Sequence, residues 1–251
     1  MPVQLNGKSL VGGSLNGKAL KYIYVGDKQV WSATPPKSIS FVNYRTTSGS
    51  NLTLDAPDGT LPGDRVFGVL TGTTNPPIGG YDAPSGWTTL YKAGAWTVAY
   101  RDMTTWTSAS WGYLGNTRGF RVWHFTLRRS DPSYAWATPT ISLFASDNTD
   151  NTSFSTTISG FTVHEGGFLT SVSRLLDNVT FSSSSLVVNG QSGFDTGFYA
   201  SIPKGSGDDK AGASSILWKN NPAPGSGNIT YSTTLSSAST GNTVAFEQTL
   251  E

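Results

Sequence analysis

The chain has 251 residues and a formal net charge of +1, from 17 basic and 16 acidic residues. This balance gives no general attraction to nucleic acid or to an anionic membrane surface. Cysteine is absent, which excludes disulfides and thiolate sites for zinc, iron–sulfur clusters or catalysis.

The composition favours β-structure. There are 33 Ser, 32 Thr and 29 Gly, but only 3 Glu and 9 Lys, so residues suited to exposed helix faces are scarce. Ser, Thr and Asn are typical of strands, turns and polar loops. Aromatic residues make up 12% of the chain and supply the apolar bulk of a core. We therefore predict an all-β protein with many short strands.

The first 31 residues repeat a turn pattern. Leu-Asn-Gly-Lys occurs at Leu5–Lys8 and again at Leu15–Lys18, and Val25–Lys28 (VGDK) keeps the same spacing. Asn-Gly and Gly-Asp are tight-turn dipeptides, so this stretch predicts two or three short strands. About 30 residues of this kind bury too little surface to fold alone. The stretch is therefore either the N-terminal hairpin of a larger domain or a piece that packs on an assembly partner.

Two prolines then separate this stretch from the rest of the chain. We predict a β module for docking at residues 1–33, a Pro-rich linker at 34–38 and a β-sandwich domain at 39–251. The residues expected to make the docking contacts are apolar or aromatic: Leu15, Tyr22, Tyr24, Val30 and Trp31.

From residue 39 onward, short apolar runs alternate with turn clusters. Arg65–Leu70 is predicted to be a buried strand. Gly119–Arg128 carries bulk on both faces and is predicted to lie centrally in its sheet. Three short strands are predicted between residues 141 and 163, around a polar loop at Asp147–Asn151. About a dozen strands with this spacing predict two antiparallel sheets in a jelly-roll-like β-sandwich.

A search for catalytic residues finds little. His124 and His164 lie in separate predicted strands, and His124 is predicted to be a hydrogen-bonded histidine of the core or of a sheet edge. The sequence contains no Gly-x-Ser-x-Gly elbow, no His-Glu-x-x-His and no phosphate-binding glycine loop. Most Asp residues stand in turns, and the acidic stretches Asp147–Asp150 and Gly207–Asp209 lack the full ligand spacing of a calcium loop. We therefore expect no enzyme, no cofactor and no metal.

The tryptophans suggest a different site. Six of the eight lie between Trp87 and Trp136. Trp106, Trp111 and Tyr113 stand among Thr, Ser and Gly, and Trp136 follows in a predicted loop. An aromatic ring flanked by hydroxyl groups can stack on the C–H face of a sugar, so these four are candidate glycan-binding residues. The alternative is that the rings pack between the sheets.

Several short motifs resemble a known family. Pro62–Phe67 (PGDRVF), Ala83–Thr88 (APSGWT), Ala99–Arg101 (AYR), Leu127–Pro132 (LRRSDP) and Gly227–Tyr231 (GNITY) occur in the order seen in tail-associated β-sandwich domains of bacteriophages that infect Gram-positive hosts. The opening resembles the short N-terminal module of their minor tail proteins, in which a Gly-Asp/Thr-Lys-x-Val-Trp strand precedes a Pro-rich linker.

The resemblance implies a structural protein of the virion, at the tail or its tip, present as a homo-oligomer. It would bind other tail proteins through residues 1–33 and attach to the host surface, with cell-wall polysaccharide as a candidate ligand. No secretory signal or membrane-spanning run is seen, so we expect synthesis in the host cytoplasm and no membrane insertion. Two alternatives stay open: a glycan depolymerase of the tail, and a capsid decoration or head-fibre protein.

Overall fold

The computed structural model shows β-strands and no α-helix in the residues that it describes. These are residues 37–49, 52–73, 81–105, 107–111, 119–204 and 211–251, without the side chains of 143–145, together with the backbone of six short strands before residue 33. In this part of the chain, no helix is long and apolar enough to cross a membrane. The chain forms two compact units, Met1–Pro36 and Lys37–Glu251.

The N-terminal unit consists of three successive two-stranded antiparallel ladders. The strands are β1 (Gln4–Leu5), β2 (Lys8–Ser9), β3 (Ser14–Leu15), β4 (Lys18–Ala19), β5 (Tyr22–Val25) and β6 (Lys28–Ser32). Each repeat of the turn pattern thus forms its own ladder, which gives more strands than the two or three predicted. Residues 33–36 lie outside the described residues, and the Pro-rich linker at 34–38 stays a prediction.

The first sheet of the larger unit has five antiparallel strands in the order β10-β11-β9-β13-β7. They are β7 (Ile39–Ser48), β9 (Arg65–Gly72), β10 (Thr88–Ala93), β11 (Trp96–Asp102) and β13 (Phe120–Arg129). β9 is buried at every residue and β13 at most residues. This confirms the buried strand predicted at Arg65–Leu70 and the interior position predicted for Gly119–Arg128 from the bulk on both its faces. A separate ladder of β8 (Thr53–Asp55) and β12 (Ser108–Ser110) contributes residues to an apolar core on the outer face of this sheet.

The second sheet has seven strands in the order β17-β16-β20-β15-β19-β18, with β14 paired to β20. They are β14 (Thr140–Val163), β15 (Phe168–Leu175), β16 (Phe181–Val188), β17 (Gln191–Ser192), β18 (Thr196–Ile202), β19 (Gly212–Asn220) and β20 (Gly225–Gln248). The first half of β20 pairs with β16 and its second half with β15. The sheet therefore curls, and register shifts along the β14–β20 pair accompany the curl.

The prediction of three short strands between residues 141 and 163 was wrong. β14 is one strand of 24 residues. The polar residues expected to form a loop pair instead with residues of β20: Asp147 lies opposite Gly241 and Asn151 opposite Ser239. Because this partner lies far away in the sequence, local composition alone predicted a loop.

Three apolar cores result from this arrangement. The central core lies between the two sheets and includes Trp96, Phe125 and Trp218. A second core fills the curl of the second sheet, where Phe154 and Tyr231 pack on the opposite face of β15 and β19. A third core on the outer face of the first sheet is formed with residues of β8 and β12. The predicted all-β fold with antiparallel sheets is confirmed.

The sandwich has two distinct ends. At the proximal end, the chain runs from Lys37 into β7, where Ile39 lies opposite Arg129. The two sheets are joined at this end by Arg65, whose Nη1 donates to Gln248 Oε1 at 2.9 Å. We call the opposite end the distal end.

The distal end has its own links between the sheets. Trp96 Nε1 donates to Asn242 Oδ1 at 2.8 Å. The buried Arg174 guanidinium donates to the carbonyl of Gly72 and, at 2.7 Å, to the carbonyl of Thr73. Both ends are thus held by buried or partly buried hydrogen bonds, which fix one sheet relative to the other.

Candidate functional site

The predicted sugar-stacking residues do not form one surface in the described structure. Trp106 and Tyr113 lie outside the described residues. Trp111 is only 3% exposed, so no sugar can reach a face of its ring. The prediction for Trp111 was wrong, because its indole packs in the third core against Trp87, with ring centroids 5.7 Å apart.

Trp136 is half-buried and packs against the central core. Its Nε1 donates to the carbonyl of Gly63 at 3.0 Å, and the guanidinium of Arg65 lies 5.3 Å from its ring. Arg65 is itself paired with Asp102, with Nε 2.6 Å from Oδ1. Through these contacts, Trp136 helps to hold the sandwich together at its proximal end.

His124 is a core histidine, as predicted. It is fully buried, and its Nε2 accepts from Trp111 Nε1 at 2.9 Å. Its Nδ1 therefore carries the proton and faces the carbonyl oxygen of Asp55 at 3.2 Å. Burial lowers the pKa of His124 to about 4, so the ring is neutral in the folded protein.

His164 contacts a carboxylate that sequence reasoning missed. Glu247 is fully buried, accepts from the His164 backbone N–H at 2.9 Å and lies 2.7 Å from its Nδ1. Burial raises the pKa of Glu247. The side chain of Glu247 is closed off from solvent and stabilises the turn between β14 and β15. Within the described residues, no three acidic, His or Cys side chains lie close enough to hold a metal ion.

The residues predicted to make docking contacts all lie on strands of the N-terminal unit. Leu15 is on β3, Tyr22 and Tyr24 are on β5, and Val30 and Trp31 are on β6. Their side chains lie outside the described part of the structure, so their role stays a prediction.

Among the described residues, the most exposed aromatic side chain lies at the seam where the curled second sheet approaches itself. Phe181 on β16 and Tyr199 on β18 face each other with ring centroids 4.9 Å apart. Tyr199 is 42% exposed. The two rings line a concavity of about 260 Å³, which we call the seam cleft; it is formed by Asn178, Val179, Thr180, Phe181, Tyr199, Ala200 and Ser201.

Polar groups that make no hydrogen bond to other described residues surround these rings. The side chains of Asn178, Thr180 and Ser201 and the hydroxyl of Tyr199 make no hydrogen bond to any other described residue. Asn178, Thr180 and Ser201 are exposed, while Val179 is buried and forms an apolar floor. An aromatic face with a few polar groups around it is the usual composition of a small-molecule site.

The cleft lies toward the distal end. Asn178 follows β15 where Leu175 lies opposite Gly241, and Ser201 lies opposite Ala213, near the end of β18. The rigid ladders of β18 with β19 and of β16 with β20 hold the two rings in place. A ligand in the seam cleft would therefore be held far from Lys37.

One sequence signal could have identified Tyr199. Phe198 and Tyr199 are adjacent in a strand, and adjacent side chains point to opposite faces. Phe198 packs against the central core, so Tyr199 must face the other way. Phe181 could not be identified from the sequence, because its contact with Tyr199 exists only in the curled sheet.

Comparisons of the chain with protein-family models, with curated proteins and with solved structures found no match.

Proposed function

We propose that this chain is a structural protein of a bacteriophage tail or tail tip that docks through residues 1–33 and attaches to the host surface through its β-sandwich. The ligand would be a cell-wall glycan bound in the seam cleft, and no catalytic step is required. The observation that carries the binding proposal is the pairing of the exposed Tyr199 with the partly buried Phe181, with polar groups around the two rings that make no hydrogen bond to other described residues.

The chemistry of the cleft fits a sugar. The aromatic rings offer apolar faces for the C–H side of a pyranose, and Tyr199 adds a hydroxyl that can bond to it. Asn178, Thr180 and Ser201 offer donors and acceptors for the sugar hydroxyls. A free sugar would replace water at these groups without leaving a buried polar atom unpaired.

The positions of the two ends also support attachment. The sandwich begins at Lys37, at the proximal end, while the seam cleft lies toward the distal end. The point at which the chain enters the sandwich therefore lies at the end away from the cleft. The motif resemblance to phage tail proteins supports the same arrangement.

The test is binding to purified Gram-positive cell walls, measured by cosedimentation and by titration calorimetry with solubilised wall polysaccharide. We expect Tyr199→Ala to weaken binding about tenfold, because one stacked aromatic contributes about 1–2 kcal/mol. Leu61→Ala is the matched control, since Leu61 is 53% exposed and lies outside the cleft. Equal affinities for wild type and Tyr199→Ala would overturn the assignment of the cleft.

A further inference from the structure

The outward face of the curled strands carries an ordered array of hydroxyl groups. Three adjacent strands place their outward side chains in rows: Ser153, Thr234 and Ser183; Ser155, Ser232 and Ser185; Thr157, Thr230 and Val187. All but Val187 are Ser or Thr. Their neighbours along the strands, such as Phe154, Tyr231 and Leu186, point inward and are buried. We call this array the hydroxyl face.

Part of the hydroxyl face is concave. A depression of about 210 Å³ is lined entirely by hydroxyl residues: Ser153, Ser183, Ser184, Ser185, Ser232, Thr233 and Thr234. The hydroxyls of Ser153, Ser185 and Ser232 make no hydrogen bond to other described residues. Each therefore keeps one donor and two acceptor sites for a ligand.

The hydroxyl face and the seam cleft adjoin along one strand. Phe181 lines the cleft and Ser183 lines the depression, with only Ser182 between them at a shift of register. β17 pairs with β16 only at Val187 and Val188. Among the described strands, no other one pairs with the remaining edge of β16, so its backbone is left unpaired between the two concavities.

Both concavities lack charge. No Lys, Arg, Asp or Glu lines either of them. By contrast, a third depression, at the proximal side, is lined by Asp64, Arg128 and Arg129. Among the residues that line the two concavities, a polymer bearing phosphate or carboxylate groups would find no cation, whereas a neutral polyhydroxylated chain would find hydroxyl partners in both. The nearby Arg121 is engaged with the backbone carbonyl of Ser201, to which its Nε donates at 2.6 Å.

We infer that the ligand of the seam cleft is an uncharged polysaccharide chain, one unit of which stacks on Tyr199 while the following units cross β16 and bind the hydroxyl face. This inference rests on the proposed glycan-binding function. It adds that the ligand is uncharged and that it also occupies a second subsite. Affinity should therefore rise with chain length, because one molecule binds both subsites.

The test uses two fractions of Gram-positive cell-wall polysaccharide, neutral and phosphate-bearing, each partly hydrolysed and sorted by length. Calorimetry compares wild type with the double variant Ser185→Ala/Ser232→Ala and with the control Ser108→Ala, which removes an exposed hydroxyl on β12. We expect the double variant to lose about tenfold in affinity for long neutral chains and nothing for short ones, since each hydroxyl contributes about one modest hydrogen bond.

The outcomes separate this inference from the proposed function. Affinity that does not rise with length, a rise that the double variant keeps, or a preference for the phosphate-bearing fraction would each overturn the inference and leave glycan binding intact. Failure of the wild type to bind any fraction would overturn both. Circular dichroism of the variants checks that each one is folded.

Discussion

Two fully buried ionisable side chains change the stability of the fold in opposite directions with pH. Burial lowers the pKa of His124, so its contribution is complete above the unfolded value of 6.5 and is lost as the pH falls toward about 4. Burial raises the pKa of Glu247, so its contribution is greatest below 4.5 and is lost as the pH rises through the folded value. Hydrogen bonds from His164 offset part of the cost of ionised Glu247.

Of these two side chains, His124 gives the prediction that can be tested more directly. Acidification from pH 6.5 to about pH 4 should lower its contribution to the free energy of unfolding by about 3 kcal/mol, because the unfolded chain binds the proton and the folded chain does not. Urea denaturation of wild type and His124→Gln at a series of pH values measures this. Glutamine keeps an acceptor for Trp111 but does not titrate, so the stability advantage of the wild type should shrink with acid. A constant difference would contradict the assignment.

At the scale of elements, the packing of the third core on the first sheet depends on a glycine. A Cβ at Gly68 of β9 would lie 2.2 Å from Cζ2 of Trp111, which follows β12. Only glycine leaves room for the indole to approach the strand this closely, in the position from which its Nε1 donates to His124 Nε2. The burial of Trp111 therefore depends on Gly68 of β9 as well as on the segment that carries Trp111.

We expect Gly68→Ala to destabilise the protein by about 1–3 kcal/mol, because the added methyl forces Trp111 out of its position. The contacting atoms belong to the six-membered part of the indole, which Trp111→Phe moves or removes. In a double-mutant cycle followed by thermal denaturation, Gly68→Ala should therefore cost less in the Trp111→Phe background. Additive effects of the two substitutions would show that the close approach is not what Gly68 provides.

The individual strands show which parts of the fold could be predicted from the sequence. β13 was placed correctly because bulk on both faces of a strand requires burial on both sides, and β9 was recognised as a buried strand from its apolar run. β14 was divided wrongly, because its Asp- and Asn-rich segment becomes a strand only through pairing with β20. The seam cleft was missed for a related reason: Phe181 and Tyr199 belong to strands that meet only in the curled sheet.

At the scale of the whole molecule, the larger unit holds all three described cores and the seam cleft. Removal of residues 1–33 should therefore leave the sandwich folded, with cooperative thermal unfolding and wall binding like those of the full chain. The same deletion should abolish incorporation into virions, measured on purified particles. A truncated protein that is incorporated at normal levels would contradict docking through residues 1–33.

The separation of Lys37 from the seam cleft has a mechanical consequence. A particle held through the first residues and a wall bound at the cleft would pull on opposite ends of the sandwich. The load would run along β7, whose ladder with β13 extends from Ile39 to Ser48. Force along the strands strains many hydrogen bonds together in shear, rather than opening them one after another, so this ladder would resist extension more strongly than one opened pair by pair.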